Sequence, residues 1–223
     1  MAVKAILVDF FGTLVKSDEG RIKDICRQVC ETSPLFIAPG DVAAYWWERL
    51  DHYARTCHGE NFRPQRELEL RAISDMVEHF ESRLAPRDLT QSMLERWRKP
   101  EGWHDGRLFM SRIPIAICVV CNADRADIEA AAEYTQIDIP RIVCSEDARA
   151  YKPRHEIFQY ALKVMGARPA ETLHISDSIH YDLRPAAELG IHTAWVNRRG
   201  RMLDDFTPDI VCEELGMLRR MIR

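Results

Sequence analysis

Residues 3–14, VKAILVDFFGTL, decide how this chain is read. The run VKAILVD (3–9) is short and aliphatic, closes on an acid, and is followed at once by Gly12 and Thr13. A run of this length bounded by a turn signal reads as a buried β-strand. It meets Asp9 and the Gly12-Thr13 pair too early for a secretory apolar core, and no small-residue cleavage site follows. No run in the chain approaches the roughly 18 apolar residues of a membrane span. The expected setting is therefore the cytoplasm, away from membranes.

Outward from that strand the chain shows two regimes. From about residue 113, apolar runs alternate with amphipathic stretches. The runs are IPIAICVV (113–120), RIVCS (141–145), TLHIS (172–176), HTAWV (192–196) and DIVC (209–212). Between them lie helical patterns at 125–136, 155–166 and 181–190, with Gly166 and Gly190 placed as C-terminal caps. Strands alternating with helices predict an α/β fold: a Rossmann-like, doubly wound, mostly parallel sheet covered on both faces. Residues 16–99 differ. Four helical segments, about 19–31, 41–57, 64–83 and 87–98, follow one another across Pro and Gly breakers with no strand between. The expected organisation is a core of residues 1–15 and 100–223 with an all-helical cap, 16–99, inserted after the first strand.

A formal net charge of −4 gives no basic footprint, so no nucleic-acid partner is expected. Nothing fixes the oligomeric state beyond monomer or homodimer. Seven cysteines are an odd count without disulfide-scaffold density, and they read as reduced thiols. Cys118 and Cys121 have C-x-x-C spacing, but Val119 and Val120 between them read as strand interior, and no second pair completes a zinc site.

In open α/β sheets ligands sit beyond the carboxyl ends of the strands. Those ends carry Asp9, Cys121-Asn122, Ser145-Glu146-Asp147 with Lys152 soon after, and Ser176-Asp177. Acids, an amide and a lysine are expected to converge on one edge. At these residues the chain resembles the haloacid dehalogenase-like hydrolase superfamily. The matching segments, in order, are DFFGTL (9–14), VVCN (119–122), Lys152-Pro153 in SEDARAYKP (145–153), and HISDSIHYD (174–182). The resemblance covers the whole chain and puts the insert in the place of that family's helical cap.

The resemblance implies that Asp9 is a nucleophile, and the chemistry supports it: a carboxylate can form a covalent intermediate that water then hydrolyses. It further implies Mg2+ held by Asp9, the Phe11 backbone carbonyl and Asp177, because magnesium favours few carboxylates and keeps room for water and phosphate. Asp182 would orient metal waters or hold Lys152, with a helix N-cap as the plainer role. Lys152 would neutralise the nucleophile and bind the transferred group's oxygens. Gly12 and Thr13 would turn backbone N–H groups toward a phosphate. Cys121 stands where the family usually has a hydroxyl. A thiol donates weakly, so phosphate would rest on the Cys121 and Asn122 backbone N–H groups. An oxidation-sensitive Cys121 is a side expectation.

One departure governs the chemistry. Phosphatases of the superfamily carry D-x-D-G-T with the second Asp as general acid and base, and here that position is Phe11. General acid–base help is worth roughly 10²–10⁴-fold. The resemblance leaves several readings: a phosphatase on a small anionic metabolite using another acid (His52, His58, His104 or a cap carboxylate) or a good leaving group; a 2-haloacid dehalogenase-like enzyme; a phosphonatase-like enzyme using cap lysine Lys16, Lys23 or Lys99; and a non-catalytic binding module. Specificity should come from the insert. Its stretch 45–64 offers Arg49, Arg55, Arg63, His52 and His58 for an anionic or ring-bearing ligand, whereas Trp46, Leu50 and Tyr53 have helical spacing suited to packing. Opening would need hinges near 15–20 and 99–106, where Gly20, Gly102 and Gly106 lie.

Overall fold

The computed structural model describes residues 3–17, 19–202 and 205–222, with Glu19, Arg219 and Arg220 described by backbone alone. The first aliphatic run becomes strand β1 (Ala5–Val8), buried along its whole length. Strands β2 (Ala116–Cys121), β3 (Ile142–Cys144), β4 (Thr172–Ser176), β5 (His192–Val196) and β6 (Ile210–Cys212) complete the sheet. Its order is β3-β2-β1-β4-β5-β6, and all pairings are parallel. β1 lies between β2 and β4, with Ala5 facing Ala116 on one side and Thr172 on the other. The chain winds outward from β1 in both directions, so a crevice opens beyond its carboxyl end. Asp9 is the next residue.

Side chains alternate across the sheet as a period of two requires. Ile6, Val8, Val119 and Cys121 join the cluster on one face, while Leu7, Cys118 and Val120 join the other. Cys118 and Cys121 therefore point to opposite faces. Their C-x-x-C spacing brings no two thiols together, and all seven cysteines are free.

The insert forms helices α1 (Glu19–Thr32), α2 (Pro39–Thr56), α3 (Gln65–His79) and α4 (Pro86–Trp97). They share a hydrophobic cluster of their own around Val42, Trp46, Ala72, Ile73, Met76 and Met93. In the remainder of the chain, α6 (Arg125–Thr135) and α8 (His155–Met165) follow the sequence pattern, and Gly166 ends α8 at φ 59°. Helices α5 (Gly106–Arg112), α7 (Ser145–Ala148) and α10 (Leu215–Met221) were not anticipated, being too short to show a helical period. The stretch 181–190 is not one helix. A widened turn over Ile179–Leu183 leads into α9 (Arg184–Glu188), the change falling beside Pro185, which has no N–H for the regular ladder. No helix among the described residues is long and apolar enough to cross a membrane.

The two crossings between sheet and insert run side by side. Val15 pairs with Gly102, and Lys16 N–H donates to the Glu101 carbonyl at 2.8 Å. The expected hinge glycines fare unevenly. Gly20 lies inside α1, and a Cβ at Gly106 would stand 2.2 Å from the Leu14 carbonyl oxygen, so this glycine permits close packing rather than bending. Gly102 has open space around it.

The insert is also pinned to the sheet. Asp124, just past β2, turns its carboxylate away from its own helix α6 and onto the start of α3. Gln65 N–H donates to Oδ1 at 2.7 Å, and Arg66 donates to Oδ2 from its backbone N–H (3.2 Å) and Nε (2.8 Å). Arg98 Nε meets Asp127 at 2.6 Å, and the Tyr151 hydroxyl donates to the Arg63 carbonyl at 2.6 Å.

Candidate active site

Asp9 leaves β1 with its N–H donated to the Ile175 carbonyl of β4 at 2.9 Å, so two neighbouring strands fix its backbone. Its carboxylate is buried and held at both oxygens. Lys152 Nζ donates to Oδ1 at 2.6 Å, and Thr13 Oγ1 donates to Oδ2 at 3.1 Å. Lys152 is itself buried and donates twice more, to Asp182 Oδ1 at 2.7 Å and to the Val120 carbonyl at 3.1 Å. These three acceptors account for the three ammonium protons. Asp182 also meets His174 Nε2 at 2.8 Å.

The expected N-cap role of Asp182 belongs instead to Ser178, whose hydroxyl accepts from the Tyr181 N–H. Asp182 is buried in the widened turn and faces Lys152. Burial pushes its carboxyl up, but Lys152 and His174 outweigh this and hold it below the ordinary range. The same geometry keeps Lys152 charged: burial disfavours the ammonium, and the charges of Asp182 and Asp9 more than restore it. Asp9 moves the other way, raised first by burial against the pull of Lys152.

Asp177 follows β4, with its N–H donating to Thr13 Oγ1 at 3.0 Å. Thr13 thus bridges the two acids, and its hydroxyl is fully engaged and shielded. Its one proton goes to Asp9, so the hydroxyl has none for a phosphate, and the expected contact rests on the Thr13 backbone N–H alone. The expectation for Gly12 is corrected. Its N–H donates to the Val15 carbonyl at 2.7 Å and does not face a ligand. What requires glycine there is φ of 96° and the approach of Asp177, whose Oδ1 would lie 2.6 Å from an added Cβ. Asp177 is pushed up to about 6 by burial and then by the charge of Asp9, against the pull of Arg201.

Asn122 acts through its side chain. Its Oδ1 accepts the Lys152 N–H at 2.7 Å, and its Nδ2 donates to the Lys152 carbonyl at 3.1 Å. This amide clamp sets the loop that delivers the lysine. Cys121 lines the cavity beside it, its thiol pushed up to about 12 by burial and then by Asp9. Burial that disfavours the thiolate works against the expected oxidation of Cys121. Glu146 and Asp147, read as part of the same edge, turn aside and bind Arg125 at 2.6 Å each.

A cavity of about 400 Å³ lies between these residues and the insert, with Asp9, Phe11, Cys121, Asn122, Lys152, Asp177 and Asp182 at one end. From the insert come Trp46, Trp47, Leu50, Leu68, Glu69 and Trp97. Trp46 and Leu50, read as packing residues, face this space. The arginines of 45–64 do not, although Asp51 does. Arg49 pairs with Asp75 (2.8 Å), Arg55 with Asp51 (2.6 Å) and Arg63 with Glu67 (3.9 Å). His52, His58 and His104 are absent from the lining, as are Lys16, Lys23 and Lys99. His104 lies near Asp105 and Glu214, but the Asp105 carboxylate is taken by Arg198 and the Leu215 N–H.

Three contributors escaped the sequence reading. His174 sits in a wholly buried strand, where a lone imidazole among aliphatics is the visible signal. Arg201 reaches Asp177 Oδ2 at 3.3 Å from a loop with no periodicity to mark it. Glu69 lies among the charged residues of α3 and looks like any exposed helix acid until α3 is packed.

A family model described as haloacid dehalogenase-like hydrolase matches residues 3–190. Among curated proteins, the glyceraldehyde 3-phosphate phosphatase of Methanocaldococcus jannaschii is 40% identical over 84 residues, which span 37% of this chain and 37% of that protein. The pyrophosphatase PpaX of Bacillus cereus is 22% identical over 98% of this chain and 95% of its own. Among solved structures, L-2-haloacid dehalogenase from Xanthobacter autotrophicus superposes with a TM-score of 0.77 at 16% identity, covering 98% of both chains. That likeness concerns the fold.

Proposed function

Since the chain belongs to the haloacid dehalogenase-like hydrolases, we propose that it is a Mg2+-dependent phosphatase of a small anionic metabolite, with Asp9 as nucleophile and residues 16–99 as its cap. The observation that carries this reading is the Asp9–Lys152–Asp182 arrangement, with Asp177 held against Gly12. A carboxylate fixed at a strand end, with an ammonium 2.6 Å away, is prepared for attack and for the charge that follows.

The donor set suits a hard divalent cation. Asp9 lies near Asp177, and its charge raises the cost of ionising Asp177. Asp9, the Phe11 carbonyl and Asp177 would hold Mg2+, which supplies charge neutralisation at the transferring phosphoryl group. Asp182 holds Lys152 in place, and Thr13 orients Asp9 toward the cavity. Phosphate oxygens would meet Lys152 and the backbone at Cys121 and Asn122.

Replacing Asp9 by Asn should abolish turnover of every phosphate ester in a panel, by about 10⁴-fold or more. EDTA should abolish wild-type turnover, with recovery on adding Mg2+. Magnesium affinity should fall below pH 6, where the Asp177 proton competes, and rise above it. Activity that survives D9N or complete chelation sinks the reading. A 2-haloacid dehalogenase activity is the second reading, favoured by Phe11 and the apolar cap wall, because a halide leaves without a proton. Metal-independent halide release from 2-chloropropionate would select it. A phosphonatase-like Schiff base is disfavoured, because the cap lysines do not line the cavity.

A further inference from the structure

The cap end of the cavity holds a fully buried ionisable group that the chemistry above leaves unused. Glu69 lies in the second turn of α3, is fully buried, and stands in the wall of the cavity that contains Asp9. Its Oε1 accepts from Gln65 Nε2 at 3.3 Å, and its Oε2 has no partner. The Trp46 N–H of the same wall lies close enough to the Glu69 carboxyl to act on it, although without good hydrogen-bond geometry, and Gln65 Oε1 has no partner. Natural proteins seldom leave such atoms unpaired, because each has given up water for nothing. Gln65 Oε1 and Glu69 Oε2 side by side on one cavity wall point to a polar group of the ligand as their partner.

The state of Glu69 fits a donor. Burial pushes its carboxyl up to about 8, with Asp124 of the core adding to the rise and Gln65 and Trp46 acting against it. It therefore carries a proton at neutral pH. Direction matters too. Phosphoryl transfer runs roughly in line, the leaving oxygen departing opposite the attacking one. With Asp9 at the sheet end, the leaving group projects toward the cap wall.

We propose that Glu69 is the general acid of this enzyme, giving the leaving oxygen the proton that Phe11 cannot supply. The proposal rests on Asp9 as nucleophile. An Asp9 oxygen bonds to phosphorus while the ester P–O bond breaks. The electron pair of that bond stays on the leaving oxygen, which takes the Glu69 proton and departs as an alcohol. In the second step the oxygen of a water bonds to phosphorus, the aspartyl–phosphorus bond breaks, and the water's proton returns to Glu69. The substrates so served are phosphate esters of ordinary alcohols, whose alkoxides are poor leaving groups.

The test is a leaving-group series. Wild type, E69Q, E69D and D9N are assayed with Mg2+ on glycerol phosphate and other alkyl phosphates, and on 4-nitrophenyl phosphate. E69Q should lose about 10²–10³-fold in kcat on alkyl esters and little on the nitrophenyl ester, whose phenolate leaves unprotonated. The wild-type fall in alkyl-ester kcat above about pH 8 should vanish in E69Q, and E69D should recover part of the rate. Equal losses on both ester classes, or none on either, overturn the proposal. If E69Q does not fold, the wild-type pH profiles decide alone: a basic limb shared by alkyl and nitrophenyl esters overturns it. Turnover persisting in D9N marks failure of the nucleophile reading instead.

Discussion

At the sheet end of the cavity the three carboxylates are all held: Asp9 by Lys152 and Thr13, Asp182 by Lys152 and His174, Asp177 by Arg201. At the end lined by the insert the wall is mostly aromatic and aliphatic, and the buried Gln65 Oε1 and Glu69 Oε2 have no partner of good geometry. Both ends belong to one space, yet they meet different demands. Dipoles and charges that stabilise a transition state work best when fixed before the substrate arrives. Groups that select a substrate are best satisfied only by it, because the unmatched ligand then leaves them unpaired. A saturated end and an unsatisfied end are what a generic reaction with a private substrate requires.

The largest break in this contrast should come at the saturated end. Lys152→Met removes the one ammonium shared by two buried acids, and breaking a buried pair of this kind costs about 3–5 kcal/mol. Urea unfolding in EDTA should register that loss, and added Mg2+ should return part of it. Gly12→Ala comes next. A residue forced to φ 96° with its Cβ 2.6 Å from Asp177 Oδ1 should cost about 1–3 kcal/mol and weaken magnesium binding, measured by calorimetry. Unchanged magnesium affinity in G12A would separate Asp177 from the metal.

The unsatisfied end should show itself through pH. Folded Glu69 keeps its proton up to about 8, whereas an unfolded glutamate loses it near 4.5. Over that window the folded state binds more protons at Glu69, so the contribution of this group to stability is greatest below pH 4.5 and falls as pH rises toward 8. The slope approaches about 1.4 kcal/mol per pH unit for one fully displaced proton. Comparing melting of wild type and E69Q from pH 5 to 8 should show the wild type losing ground steadily. Parallel curves would place Glu69 in an ordinary environment. The smallest effect is expected at the joint between the two ends. Asp124→Asn should cost about 1 kcal/mol, the usual worth of a helix-capping side chain, with no change in the metal dependence of turnover.

The same contrast explains what the sequence disclosed. Strand β1 and the acids beyond it were legible, because an aliphatic run closed by Asp9 has few other readings and parallel sheets bury their strands on both faces. Asp9, Lys152, Asp177 and Asp182 do converge. What each does locally was less legible. Gly12 and Thr13 spend their polar groups on the loop and on the two acids, a matter of which way an N–H points rather than of residue type. On the insert, the spacing of Trp46 and Leu50 was read correctly as helical, but packing alone decides which side of a helix faces a cavity. Glu69 was invisible for the same reason. Sequence shows a carboxylate, whereas its burial depends on how α2 and the sheet close over α3.

Asp124 ties the joint together in one further respect. The first two amides of α3 have their acceptor on the sheet, not on the insert. Any lifting of the helical layer strips those amides of their cap, so that opening the cavity and fraying a helix are a single event. The backbone N–H groups of Gln65 and Arg66 are accordingly a built-in gauge of closure. Their hydrogen–deuterium exchange should slow when a ligand holds the layer down and quicken when the carboxylate is removed, reporting the position of the whole insert from one helical turn.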